Sequence, residues 1–348
     1  MLAMSSESKG PDRAVLTCAL VCVAVAAAAV LVRPALGTSR LVPSPSVLAL
    51  LIGLALGVLP STGLTAPAKV VSKRAIPVAI VLIGFGMDLD PLVEGGAIGG
   101  TLVVVLAAMV VAFLGALLAG RLCGLDPRAS LLLGAGTAVC GNSAIMAVAP
   151  TVEAEEEDVG LAIGVINLLG VAMLFVLPPV AVAAGIEGTA GGALAGTTVH
   201  AVPQAIATGE AFGPEAVEWA TLYKLLRVAM LVPLVVLLAL VVPSRSGGQR
   251  ERKAVGVPHF VWLFVVASAL RASGWLDAEV SIGGEGRAAW AWLKQGGSWL
   301  LAVALAAIGM TLHVPRLVRV GPRFLLAGTL AVVAMVAASM PLVRWLLG

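Results

Sequence analysis

Thr221-Leu222-Tyr223-Lys224-Leu225-Leu226-Arg227, followed by the apolar run Val228 to Val242, decides how this chain is read. A lysine and an arginine three residues apart share one face of a helix. A cation held in hydrocarbon is costly, so such residues ordinarily face a protein interior or an aqueous cavity and mark a substrate path. The run after Arg227 has 15 residues, about 22 Å at 1.5 Å per residue, against roughly 20 residues for a bilayer core of about 30 Å. If residues 223–242 fill the core, Lys224 lies near its outer edge, where snorkelling to the headgroups is open to it. Arg227 lies one turn deeper. The chemical partner of such a pair is an anion. Arg227 would fork onto two oxygens of a sulfate-like group, and Lys224 would act as a point charge.

Working outward, the rest of the chain also looks like membrane. It has 348 residues, 60% apolar and 12% charged, with a mean hydropathy of +1.06. A soluble domain carries roughly 25% charged residues. The expectation is an all-α polytopic membrane protein forming a single integral domain over 1–348, with residues 1–13 as a cytoplasmic tail. The formal net charge of +3 gives no support to nucleic-acid binding. Cys18, Cys22, Cys123 and Cys140 lack paired-ligand spacing, and Cys18 and Cys22 read as small packing residues in an apolar helix. Three histidines and scattered carboxylates form no metal-site pattern. Neither a Walker loop nor a dinucleotide fingerprint is present, so no cofactor, no ATP-driven pump and no redox protein is expected.

Eleven spans can be drawn: 14–32, 45–59, 68–88, 96–120, 128–150, 158–182, 190–208, 216–242, 257–271, 293–312 and 323–347. The fifth and seventh are rich in Gly, Thr and Pro and should be interrupted near Gly141 and between Val199 and Pro203. With the N-terminus in the cytoplasm, 14 lysines and arginines fall inside and 6 outside, with Lys224 and Arg227 left within a span. That asymmetry favours eleven crossings, N-in and C-out. The acidic cluster Glu153, Glu155, Glu156, Glu157 and Asp158 then lies outside, and the cations of 245–253 inside.

Two internal echoes suggest inverted repeats. Ile83-Gly84-Phe85-Gly86-Met87-Asp88-Leu89-Asp90 resembles Ala307-Ile308-Gly309-Met310-Thr311-Leu312-His313, and the spans they close run in opposite directions. Gly136-Thr137-Ala138-Val139-Cys140-Gly141-Asn142-Ser143-Ala144-Ile145 resembles Gly196-Thr197-Thr198-Val199-His200-Ala201-Val202-Pro203-Gln204-Ala205-Ile206. Interrupted spans of this kind expose helix N-termini, whose N–H groups and dipole attract anions. With eleven crossings, however, these two spans share one orientation and cannot be counterparts in an inverted repeat.

GTAVCGNSAIMAVAP with the carboxylates after it, GTTVHAVPQAIATG, ATLYKLLRVAMLVPLV and the late AAIGMTL helix resemble, in order and spacing, the YeiH-type sulfate exporter family. The resemblance covers nearly the whole chain. It implies a fold like that of the sodium/proton antiporters and bile-acid symporters. Such a fold has a scaffold domain, a core domain with interrupted helices, and elevator-like movement. The family's second motif often continues His-Asp; here Ala201 follows His200, which removes a partner for a His–carboxylate relay. Sodium sites of that fold class draw on core carboxylates, and no Asp or Glu stands at mid-membrane here. The resemblance therefore favours proton coupling, exchange or potential-driven export.

The site expected is Arg227 and Lys224, with Gly141, Asn142, Ser143, His200, Gln204, Thr137 and Thr197 lining it. Each has a plainer use: Thr137 and Thr197 can satisfy backbone carbonyls, His200 can be a packed neutral ring, and Asn142, Ser143 and Gln204 can join helices. Asn167 reads as an interhelical hydrogen bond, and Asp88 and Asp90 as solvated helix ends. The expected protein is not an enzyme but a multi-pass transporter of the cell's inner membrane. It would export sulfate or a sulfonate by alternating access of elevator type. A small carboxylate or amino-acid-like solute, or an anion channel, are the alternatives. Its partners would be a small anionic solute, the lipid bilayer and, as an option, a second copy in a homodimer.

Overall fold

A computed structural model describes residues 10–36, 43–58, 63–87, 97–243, 258–282, 285–311 and 321–347. Asp88, Asp90, the cations of 245–253, residues 312–313 of the first echo and residues 1–9 of the tail lie outside them. Among the described residues the regular structure is helical apart from a short antiparallel pair, β1 (Glu279–Ile282) and β2 (Glu285–Ala288). Among the described residues, six helices are long and apolar enough to cross a membrane. The expected single domain resolves into two compact units interleaved in sequence, 1–88 with 263–314, and 89–262 with 315–348.

The first unit is built from α1 (Gly10–Val32), α2 (Pro45–Val58), α3 (Thr65–Gly84), most of α12 (His259–Ala272) and α13 (Ala289–Thr311). Its core includes Cys18, Cys22, Val71, Ala302, Ala306 and Met310. Glycines set how closely α13 is approached. A Cβ on Gly53 would run into Ala306 O, and one on Gly57 would lie 2.7 Å from Met310 O, so α2 lies parallel to α13. A Cβ on Gly297 would lie 2.9 Å from Ile83 N and 3.0 Å from Ala79 O. The start of α13 thus packs on the end of α3, and the two run antiparallel.

The second unit holds α4 (Ala97–Leu122), α5 (Pro127–Ala138), α6 (Asn142–Val152), α7 (Glu156–Ala183), α8 (Gly188–Thr198), α9 (Val202–Gly209), α10 (Pro214–Ala229), α11 (Leu231–Val241) and α14 (Pro322–Leu347). Its segments 128–150 and 190–208 are interrupted where expected, but neither passes straight through. Asp126 caps α5, its side chain accepting from Arg128 N at 2.8 Å, with Pro127 in the first turn. α5 stops at Val139, and Gly141 takes φ 72°, a left-handed conformation open to glycine. α6 then runs back, so that Arg128 Nη1 donates to Val152 O at 2.6 Å and to Glu153 O at 3.1 Å. A straight passage would separate residues 128 and 152 by about 36 Å. The segment is a helical hairpin.

The second interruption is also a hairpin. α8 ends at Thr198, Val199 and Ala201 are extended, and Pro203 lies in the first turn of α9. Cβ atoms on Gly192 and Gly209 would both meet Ala216 O, so α9 returns beside the start of α8. The hairpins open at opposite ends of the unit. At one end Arg128 Nη2 donates to Pro243 O beyond α11. At the other, Arg344 Nη1 donates to Ala184 O between α7 and α8. This corrects the eleven-crossing expectation for both spans: Gly and Pro mark where a helix stops, not the direction in which the chain leaves.

Gly309→Val should be destabilised by about 1–3 kcal/mol, the usual penalty of overpacking, because its Cβ would collide with Leu50 O. Gly296→Ala, which has open space, should leave thermal unfolding in detergent unchanged or slightly raised.

Candidate functional site

The two hairpin tips meet on Lys224 and Arg227. Lys224 Nζ donates to Val139 O at 2.9 Å and to Val199 O at 2.7 Å. Arg227 Nε donates to Ala138 O at 2.9 Å and Nη2 to Thr137 O at 2.6 Å. Arg227 Nη1 donates to Thr197 O, with Gly196 O at 3.3 Å and Val199 O at 3.4 Å beside it. Nη2 also points at the thioether of Met335 in α14, 3.9 Å away. Both cations are 0% exposed, so neither snorkels. They cap the C-terminal carbonyls of α5 and α8, the negative ends of two helix dipoles.

Local sequence explains why the pair stands there. α10 ends at Met230 and the apolar run resumes as α11, because Pro233 cannot donate to Ala229 and its ring crowds that carbonyl. Lys224 and Arg227 thus lie just before a break. Gly192 and Gly196 let α10 lie against α8: Cβ atoms there would strike Ala216 O and Ala220 O.

Seven of the nine expected site residues lie at or just beyond the two breaks, and the other two, Lys224 and Arg227, reach the breaks from α10. Arg227's donors point at carbonyls and a thioether, so it presents no free fork to an anion in this arrangement. Thr137 and Thr197 contribute their carbonyls; their hydroxyls donate back to Leu133 O and Ala193 O at 2.8 and 2.6 Å. Asn142 and Ser143 are exposed in the first turn of α6, and Asn142 Nδ2 donates to Asn167 Oδ1 at 2.8 Å, the interhelical bond expected of Asn167. His200 is fully buried, and neither ring nitrogen has a hydrogen-bond partner. Its Cβ lies 3.8 Å from where a Cβ on Gly141 would sit. Gln204 is buried over Gly170, and its Oε1 has no partner. The contribution of Met335 was invisible in the sequence, since nothing marks one methionine among ten. No cluster of His, Cys, Asp and Glu suited to a metal occurs among the described residues.

The arrangement separates two kinds of helix end. The C-termini of α5 and α8 are neutralised by side-chain cations. Each terminus carries about half a charge, so two cations exceed what two C-termini offset. The N-termini of α6 and α9 start from the same tips, with first-turn N–H groups that have no intrahelical partner.

Residues 17–328 match the family described as Conserved hypothetical protein 698. The chain belongs to that family, UPF0324. It is 33% identical over 334 residues to a UPF0324 membrane protein of Agrobacterium fabrum, covering 93% of this chain and 91% of that one. It is 31% identical over 286 residues to the UPF0324 inner membrane protein YeiH of Escherichia coli strain K12, covering 80% and 79%. No solved structure matches it. Membership establishes an integral membrane protein of the UPF0324 kind, in keeping with the apolar helices.

Arg227→Lys cannot serve the carbonyls of Thr137, Ala138 and Thr197 at once. Each carbonyl left unpaired in the interior costs about 1–3 kcal/mol, so thermal unfolding of the purified protein should fall by at least that amount. Thr137→Val, which removes only a hydroxyl bonded within its own helix, should change stability by less than about 1 kcal/mol.

Proposed function

We propose that this protein is a secondary transporter that exports a small anion, sulfate or a sulfonate, by alternating access of elevator type. The observation that carries the reading is the meeting of two opposed hairpins on a buried cation pair whose hydrogen bonds go to backbone carbonyls and a thioether. The net positive charge left there, together with the N-termini of α6 and α9, favours an anion at the tips. Asn142, Ser143, His200 and Gln204 would complete its shell, and Lys224 and Arg227 would act on it at a distance through charge. An anion inside a cell also has a favourable outward potential, about 2.3 kcal/mol per charge per 100 mV.

In this reading the chain crosses the membrane nine times, N-in and C-out, through α1, α2, α3, α4, α7, the α10–α11 pair, α12, α13 and α14. The α5–α6 hairpin opens to the cytoplasm and the α8–α9 hairpin to the outside. Removing both crossings leaves every lysine and arginine on the side assigned before, so the 14-to-6 asymmetry stands. It moves the acidic cluster 153–158 to the inside and Glu187 to the outside. Opposed hairpins can then be counterparts in the inverted repeat, alongside the Gly-Met closures of α3 and α13. The elevator reading assigns the carrying role to the unit that holds both hairpins.

Cysteine labelling at Ala154 should report the cytoplasmic side and at Gly185 the outside; both on one side would refute this topology. In proteoliposomes, sulfate flux should be competed by sulfonates and reduced at least tenfold by His200→Ala. Competition by dicarboxylates alone would move the substrate to carboxylates, and single-channel currents would make the protein a channel.

A further inference from the structure

We propose that Lys224 fills a monovalent-cation site, its tethered ammonium standing in for a dissolved cation at the hairpin tips. Carbonyl oxygens at the C-terminal ends of half-helices are the groups that coordinate sodium-like cations in membrane interiors. Here one such oxygen from each hairpin, Val139 O and Val199 O, converges on a single Nζ at 2.9 and 2.7 Å. Arg227 takes the neighbouring carbonyls of Thr137, Ala138 and Thr197. Neither cation has a carboxylate in its hydrogen-bond shell, and both are completely buried. The ammonium therefore does what a bound metal ion would do between two carbonyl-lined tips: it offsets their dipoles and joins them. Because it belongs to α10, the junction forms whatever the cation concentration on either side. The description of this as a replaced coupling ion rests on the transporter reading; the cation site itself rests on the hydrogen-bond geometry alone.

The test uses the purified full-length protein in detergent, unfolded thermally in choline, sodium or methylammonium chloride at matched ionic strength. Wild type should give one midpoint in all three salts. Lys224→Ala should lose roughly 5 °C or more in choline and regain most of that loss, saturably, in methylammonium, with a smaller gain in sodium. Lys224→Met, which fills the space without charge, should be destabilised and respond to none of them. A wild type stabilised saturably by sodium, a Lys224→Ala protein indifferent to methylammonium, or a Lys224→Met protein as stable as wild type would each overturn the proposal. If Lys224→Ala does not fold, the wild-type and Lys224→Met results decide it. In proteoliposomes, anion flux through wild type should be unchanged when choline replaces sodium, and a flux that requires sodium would overturn the replacement. Absence of any anion flux would sink the transporter reading instead, leaving the unfolding measurements to judge the cation site.

Discussion

Everything in the second unit depends on pairing backbone carbonyls with two cations. Thr137, Ala138, Val139, Gly196, Thr197 and Val199 present their oxygens where two helices stop inside an apolar protein. An ordinary helix end meets water; these do not, and each unpaired carbonyl would carry a penalty of about 1–3 kcal/mol. Lys224 and Arg227 have the converse need, since neither could be buried without acceptors. Broken helices and buried cations are each unfavourable alone and mutually satisfied together. Arginine suits the larger share because its planar fork addresses several carbonyls at fixed angles.

Much of this was legible in the sequence. The cation pair stood out because charge is rare in apolar runs, and the breaks could be placed because Gly141 and Pro203 alter backbone geometry at known positions. What joins them was not legible. The acceptors are backbone oxygens, which carry no residue identity, so in the sequence the pair's charge points to an anion alone. The hydroxyls of Thr137 and Thr197 turn back to carbonyls of their own helices, the plainer use that the sequence allows, while their own carbonyls do the joining.

The difference between a hairpin and a crossing was hidden for another reason. The positive-inside pattern responds to the parity of crossings, and two segments counted as crossings that both turn back leave the parity unchanged. Only carboxylates, the acidic cluster and Glu187, would change sides between the two schemes, and carboxylates contribute little to that rule. The clue was the awkward pairing of the two Gly-Thr motifs, which shared an orientation when their similarity called for opposite ones. The contacts of Arg128 with Val152 and Pro243, and of Arg344 with Ala184, put the open ends of the two hairpins at opposite ends of the unit, through groups that no local pattern connects.

The separation in sequence between the first hairpin and its cations bears on how the protein is made. Val139 and its partner Lys224 are 85 residues apart, and Ala138 and Arg227 are 89 apart. A chain synthesised from its N-terminus delivers the α5–α6 hairpin long before α10 exists. Until then the tip carbonyls of Thr137, Ala138 and Val139 have no cationic partner, and lipid offers them none. The newborn hairpin must therefore wait in a hydrated or protein-lined setting, and its final seating belongs to a late step of assembly, after the second hairpin and α10 have followed it.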